Sequence, residues 1–263
     1  MKSFSLLNSF LYVLFTIIVS LIYLPILVMI VFSFNSSKYQ IMPFRNFTTS
    51  WYQRVLTDSQ YIEGLTNSLI VSISVSFFAT LLAFFCAYSL VNSNFKGKSF
   101  LNIFFLTPLV VPLILIGISL RFYLTSRGYE PSLFLVAIGQ SIGQSIFVMP
   151  LAILNLSNRM SQIPKNLEEA AWSLGSSRLR SMFEIILPSC KFSLIATFIL
   201  TFTFAFDEFI IAYFLTNFSI TLPIKIWTSL VTGFDPAINA IGTIVFLTSL
   251  TLGLISQILF LKK

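Results

Sequence analysis

Asp207 and Glu208 stand side by side in a stretch, Phe192 to Pro223, that carries no other charge. A carboxylate at the middle of a membrane helix costs about 2.5 to 3.5 kcal/mol on insertion scales, less toward the interfaces, so such residues normally face a bundle interior or water. What two acids at depth can do is receive a cation, replacing part of the water that an ammonium group gives up. Phe202, Phe206, Phe209 and Tyr213 recur around them at i, i+4, i+7 and i+11. Ring faces at that spacing can each offer an ammonium group about 0.5 to 2 kcal/mol. Asp207, Glu208, Phe206 and Tyr213 are therefore candidates for a cation path. The competing assignment makes the rings a helix-packing stripe and has the acids cap or orient the outer end of the span. Acid–base catalysis is a poor fit: adjacent helical residues point about 100° apart, and the chain has no His at all. With no His and only two Cys, no metal site is expected.

A second cluster lies between Ile163 and Pro188. Asn166 can cap a helix, Glu169 three residues on completes a capping-box-like pair, and Glu168 and Glu169 both suit the positive end of a helix dipole. Leu167, Ala170, Ala171 and Leu174 fall at i, i+3, i+4 and i+7, a narrow apolar stripe made partly of small residues. Gly175 follows where a left-handed terminating residue is expected. The spacing predicts a helix of about two to three turns, then a turn and a second helical segment, Arg178 to Leu187, that Pro188 limits. So short a helix is marginal alone. A helix lying among lipid headgroups would need a strong apolar face and a basic polar one. Here the polar side opens with two acids and the apolar side is Ala-rich, which favours docking on a soluble partner.

The elements that must hold these clusters follow from composition. Of 263 residues, 56% are apolar and 10% charged, which excludes an ordinary water-soluble domain as well as disorder. Six stretches are almost free of charge: Ser3 to Ser37, Gly64 to Phe95, Ser99 to Leu120, Pro131 to Asn158, Phe192 to Pro223 and Pro236 to Leu261. Each can supply the roughly 20 residues that a helix needs to cross a bilayer. Transmembrane helices are thus expected near 10–34, 65–91, 100–120, 132–156, 193–216 and 237–261. Runs such as Leu81-Leu82-Ala83-Phe84-Phe85 do not alternate, so a membrane β-barrel is dropped. The first apolar run is too long for a cleaved signal peptide and reads as an anchor.

Six spans put both termini on one side. Lys2, Lys96, Lys98, Arg159, Lys165, Arg178, Arg180, Lys191, Lys262 and Lys263 share it, against Lys38, Arg45, Arg54, Arg121, Arg127 and Lys225 on the other. The first set marks the cytoplasmic face, so both termini are expected inside. The acids are spread the other way, which leaves the outer side without net positive charge and open to a cation. Gly97-Lys98-Ser99 lacks the earlier Gly of a nucleotide loop, and Lys96 and Lys98 read as inner-face anchors. Gly139 and Gly143 form a G-x-x-x-G that permits close helix crossing. Pro108, Pro112 and Pro150 are candidate bends. Glu130 before Pro131 and Asp235 before Pro236 read as loop residues at helix starts. Cys86 and Cys190 read as unpaired, inert thiols.

The inner loop also resembles something known. Glu169-Ala170-Ala171, three residues, Gly175, nine residues and then Ile185-Ile186-Leu187-Pro188 is similar to the E-A-A…G…I-x-L-P signature of permease subunits in ATP-binding cassette importers. Further stretches resemble the PotC-type permeases of spermidine/putrescine importers. They are Ser33-Phe34-Asn35-Ser36-Ser37, Phe47 with Trp51-Tyr52, Asn67-Ser68, Leu222-Pro223-Ile224-Lys225-Ile226-Trp227 and Pro236-Ala237-Ile238-Asn239-Ala240. The resemblance implies an all-α, six-helix type I importer permease (MetI-like) fold: one membrane domain over 1–263, with a coupling-helix loop at 164–188. It implies a multi-pass inner-membrane protein that is no enzyme and carries no cofactor, ATP being used by a cytoplasmic ABC ATPase dimer. Glu168, Glu169, Ala170, Ala171, Leu174 and Gly175 then become ATPase-coupling residues, while Asp207, Glu208, Phe206 and Tyr213 become the substrate path. A homologous PotB-type permease would complete the pore as a heterodimer, a PotD-type external protein would deliver polyamine, and nucleic acid has no part. The alternatives are the same role for iron, thiosulfate or an aminophosphonate, or an ion-coupled carrier. A carrier would show paired internal repeats, and none is visible.

Overall fold

Backbone polar groups in a bilayer have only each other to bond with, and helices meet that demand within a single segment. The structure, a computed structural model, describes residues 2–38, 44, 46–128, 133–216, 220–233 and 235–261. Among them it is helical, apart from connections and a single antiparallel bridge between Asn35 and Phe47. Among the described residues, four helices are long and apolar enough to cross a membrane uninterrupted: Leu7–Phe32, Ser59–Asn92, Ile138–Met160 and Ala237–Leu261. Two bent pairs bring the number to six if each counts as one span. Contacts divide the chain into two units, Met1–Ile62 with Ile226–Thr248 and Glu63–Lys225 with Ser249–Lys263.

The first unit contains α1 (Lys2–Phe32) and α2 (Ser50–Thr57). Phe34 stacks on Phe47 with ring centroids 4.8 Å apart and leans on Tyr52, whose hydroxyl shares a 2.7 Å hydrogen bond with Ser33 Oγ. Trp51 Nε1 donates to the Asn35 carbonyl. Asp235 accepts the Ala237 N–H at the start of α13 (Ala237–Leu261) and pairs with Arg54 at 3.1 Å, the helix-start role expected of it. Glu130, Pro131, Arg45, Lys262 and Lys263 lie outside the described residues, as does the side chain of Lys2.

The second unit is built on α3 (Ser59–Asn92), which enters it at Glu63, and α6 (Leu133–Met160). Val75, Ala79, Ala83 and Ala87, a helical stripe of small side chains on α3, are fully buried. Without water to expel, helices in lipid associate mainly through such close packing. Ala83, Phe84, Ala87 and Leu90 join Ala152, Ile153 and Leu156 of α6 in one cluster. Gly143 of α6 meets α5 (Leu113–Ser126) and α11 (Ile210–Leu215) so closely that a Cβ there would stand 2.7 Å from Ile211 Cγ2 and 2.9 Å from Leu120 Cδ1. The G-x-x-x-G crossing is therefore real. Cys86 and Cys190 are free thiols.

Two expected spans are broken. The third, expected straight over 100–120, is α4 (Lys98–Leu106), a 3₁₀ turn at Thr107–Leu109 and then α5, with a bend of 91°. Pro108 and Pro112 cause it: each removes an N–H from the helical ladder, and Pro112 caps the new helix in extended geometry. The fifth, expected over 193–216, runs as α10 (Lys191–Phe206), stops, and resumes as α11. Two local readings also change. Asn166 is the first residue of α7 (Asn166–Ser173) rather than its cap: Lys165 holds the cap position in helical geometry with no side-chain acceptor, so the capping box does not form. The second segment runs one residue past Pro188: helix α8 (Arg178–Ser181) widens into a π turn at Met182–Ile186 and continues through α9 (Leu187–Ser189), after which the chain bends by 73°. A widened turn accommodates a proline ring that would otherwise press on the preceding carbonyls.

Candidate functional site

The loop at 164–188 is held by α3, α7 and α8. Glu168 is 4% exposed, and its carboxylate accepts from the Tyr88 hydroxyl, from Asn92 Nδ2 at 2.9 Å and from Ser181 Oγ at 3.3 Å. Trp172 Nε1 donates to the same Ser181 Oγ at 2.9 Å, and the Arg178 guanidinium lies 5.3 Å from the Trp172 ring centroid. Ser177 caps α8 by accepting the Arg180 N–H. The turn between α7 and α8 passes through Gly175 at φ +88°, a left-handed conformation that a side chain would strain.

Held this way, α7 presents its other face outward. Glu169 and Ala170 are exposed, Leu167 is about half exposed and Leu174, one residue past the helix, is 89% exposed; Ala171 is partly covered. The expected apolar stripe exists and is not consumed by the chain's own packing. A polar cavity of about 380 Å³ opens beside it, walled by Asn92, Asn94, Lys165, Glu169, Trp172 and Arg178.

At the break in the fifth span the acid pair divides. Glu208 is 6% exposed: its Oε1 accepts the Ile211 N–H at 2.7 Å and its Oε2 the Ala212 N–H at 3.1 Å. These are N–H groups at the start of α11 that have no partner within that helix, so Glu208 is what allows the fifth span to stop and restart. Gln144 Nε2 donates to Glu208 Oε2 at 3.4 Å, and one turn away Gln140 Nε2 donates to Thr216 Oγ1 at 3.0 Å. Two glutamines of α6 thus brace both ends of α11. Asp207 is exposed and has Ser249 as a hydrogen-bonding neighbour.

Asp207 faces an open cavity of about 420 Å³ whose wall includes Phe147, Thr203, Phe204, Glu208 and Phe209. Phe206 and Tyr213 are not part of that wall. The break at Asp207 splits the expected ring stripe into two pairs, Phe202 with Phe206 at 5.8 Å and Phe209 with Tyr213 at 5.4 Å. Phe147 and Phe204, in edge-to-face contact at 6.3 Å, supply ring surface there instead. The sequence reasoning missed Phe147, Gln140 and Gln144. The signal for the last two was polar residues one turn apart in the charge-free stretch Pro131 to Asn158, each following a glycine of the G-x-x-x-G.

Broken helices, an acid beside an open cavity and a short exposed helix suit a permease subunit. The sequence profile described as "Binding-protein-dependent transport system inner membrane component" matches residues 79–261, and the chain belongs to that family. It is 29% identical to the spermidine/putrescine transport system permease protein PotC of Escherichia coli (strain K12) across 94% of this chain and 92% of that one. It is 28% identical to the putrescine transport system permease protein PotI of the same organism across 85% and 81%. The fold is shared with a bacterial ABC transporter involved in import of the acidic polysaccharide alginate, with a TM-score of 0.70, 16% identity and coverage of 98% of this chain and 96% of that one. The protein is a multi-pass inner-membrane permease subunit of an ABC importer with a MetI-like helical fold, a transport component and not an enzyme.

Proposed function

We propose that the chain forms half of the membrane pathway of a polyamine importer, with spermidine and putrescine as the substrate class. A homologous PotB-type permease supplies the other half, a PotD-type external protein delivers the polyamine, and a cytoplasmic ABC ATPase dimer consumes the ATP. Both termini lie inside, on the side of the more numerous Lys and Arg residues. The observation that carries this reading is α7: a short helix tied to the bundle by one buried carboxylate, with Leu167, Glu169, Ala170 and Leu174 left facing outward. Docking there lets nucleotide-driven motion bias the pore between two access states through contacts that differ between them. Asp207 gives the pathway its charge, placing a carboxylate and the rings of Phe204 and Phe209 beside one open cavity where an ammonium group loses water. Identity to PotC and PotI over most of the chain supports polyamine as the cargo.

The test is co-expression of the subunits and reconstitution into vesicles. The ATPase copurifies with this chain, uptake requires ATP and the binding protein, and unlabelled spermidine or putrescine competes with labelled polyamine while iron does not. ATP-independent uptake driven by an ion gradient, or competition by iron alone, overturns the proposal.

A further inference from the structure

We infer that Glu168 is a positioning residue. It latches α7 to the inner end of α3, so that this one helix carries the displacement of α7 across the membrane to the segment Ile220–Leu222. The inference rests on the reading that α7 docks on the ATPase. Three side chains from two elements converge on the Glu168 carboxylate, Tyr88 and Asn92 one turn apart on α3 and Ser181 on α8. The bonds are directional, so α7 is fixed in register as well as in distance, which apolar packing alone does not achieve. A buried carboxylate that loses its donors is costly to leave in place, so the contact resists sliding.

The other end of the same rod is equally specific. About 30 Å from Tyr88, by the rise of 1.5 Å per residue, Ser68 Oγ accepts the Leu222 N–H at 2.9 Å and Asn67 Nδ2 donates to the Ile220 carbonyl at 3.2 Å. Gly64 lies so near that a Cβ would stand 3.4 Å from the Leu222 backbone. Between the two ends α3 is unbroken and free of proline, whereas the third span is sharply bent and the fifth is interrupted. An uninterrupted helix transmits a push along its axis; a broken one absorbs it. The hydrogen-bonded ends of α3 therefore make it the stiff connection between the ATPase-facing helix and the segment preceding Lys225.

The experiment uses the full complex with its ATPase and partner permease in vesicles, and compares Asn92→Asp, Tyr88→Phe and the swap E168Q/N92D. Asn92→Asp sets carboxylate against carboxylate: it is expected to lower the ATPase stimulation by polyamine-loaded binding protein, and uptake with it, about tenfold, with the ATPase still bound and basal hydrolysis unchanged. The swap restores an amide–carboxylate pair with the roles reversed and regains at least half of the stimulation. Tyr88→Phe, which deletes one hydroxyl, costs about threefold. Unchanged stimulation in Asn92→Asp and Tyr88→Phe, no recovery in the swap, or stimulation that falls only in step with loss of bound ATPase overturns the latch. Failure of the unmodified chain to copurify any ATPase overturns instead the proposed function on which it rests.

Discussion

The chain carries two acidic doublets, Glu168-Glu169 in α7 and Asp207-Glu208 at the break in the fifth span, and in each of them one carboxylate is buried and its neighbour exposed. The order is reversed: the buried member comes first in α7 and second at the break in the fifth span. The buried carboxylates also do different work. Glu168 accepts from side chains of other elements and so joins helices that are distant in sequence. Glu208 accepts two N–H groups of the residues just after it and so ends one helix and starts another. On the proposed function, a doublet of this kind separates holding from contact: one acid satisfies the fold while the other stays exposed.

The sharpest way to break this comparison is Glu208→Ala. It strips α11 of both acceptors at its start and leaves those donors in a low-dielectric setting. Losing a cap of this kind costs about 2 kcal/mol. We expect a lower unfolding temperature in detergent, together with loss of folded protein, and Glu208→Gln should recover much of it by keeping one acceptor. If Glu208→Ala proves as stable as the parent while uptake collapses, the buried acid is a substrate contact and the division of roles fails.

Asp207→Asn comes next in size. Since Asp207 is exposed beside its cavity, the unfolding temperature should not move, while polyamine uptake falls about tenfold, equivalent to about 1.4 kcal/mol. Unaltered uptake would remove Asp207 from the pathway. Glu169→Gln is expected to act more mildly, reducing ATPase copurification about threefold with no change in stability. An effect of Glu169→Gln on folding would show that both members of the inner doublet hold structure.

How much of this was legible in the sequence depended on whether a feature was local. Long charge-free runs marked the uninterrupted helices, and the last expected span, 237–261, coincides with α13. The two broken spans were not legible in the same way. A hydropathy window reads Phe104, Val110 and Ile114 alike whether or not a 91° bend lies between them, and the bend depends on Pro108 and Pro112 together. The stop at Asp207 depends on a carboxylate turning back onto its own backbone and on Gln144 arriving from another helix. Glu168 and Glu169 are likewise indistinguishable by type. Only the meeting of Tyr88 and Asn92 with position 168, some 80 residues away, decides which of the two turns inward.

The smallest effect is expected from an acid outside either doublet, and it calibrates the others. Glu184 accepts from Arg180 Nε at 2.9 Å, four residues apart on one helix face, with both side chains more than half exposed. By geometry this bond is as short as the one from Asn92 to Glu168. Exposure separates them, because water competes for both partners of the surface pair and the two long side chains lose rotamer freedom on meeting. Such pairs contribute about 0.3 to 0.5 kcal/mol. Glu184→Gln should therefore leave uptake, ATPase stimulation and unfolding temperature within error of the parent at moderate salt. A loss comparable to that of Asn92→Asp would mean that charge on this face matters irrespective of burial, and the contrast between holding and contacting carboxylates would give way to a general electrostatic role for the inner loop.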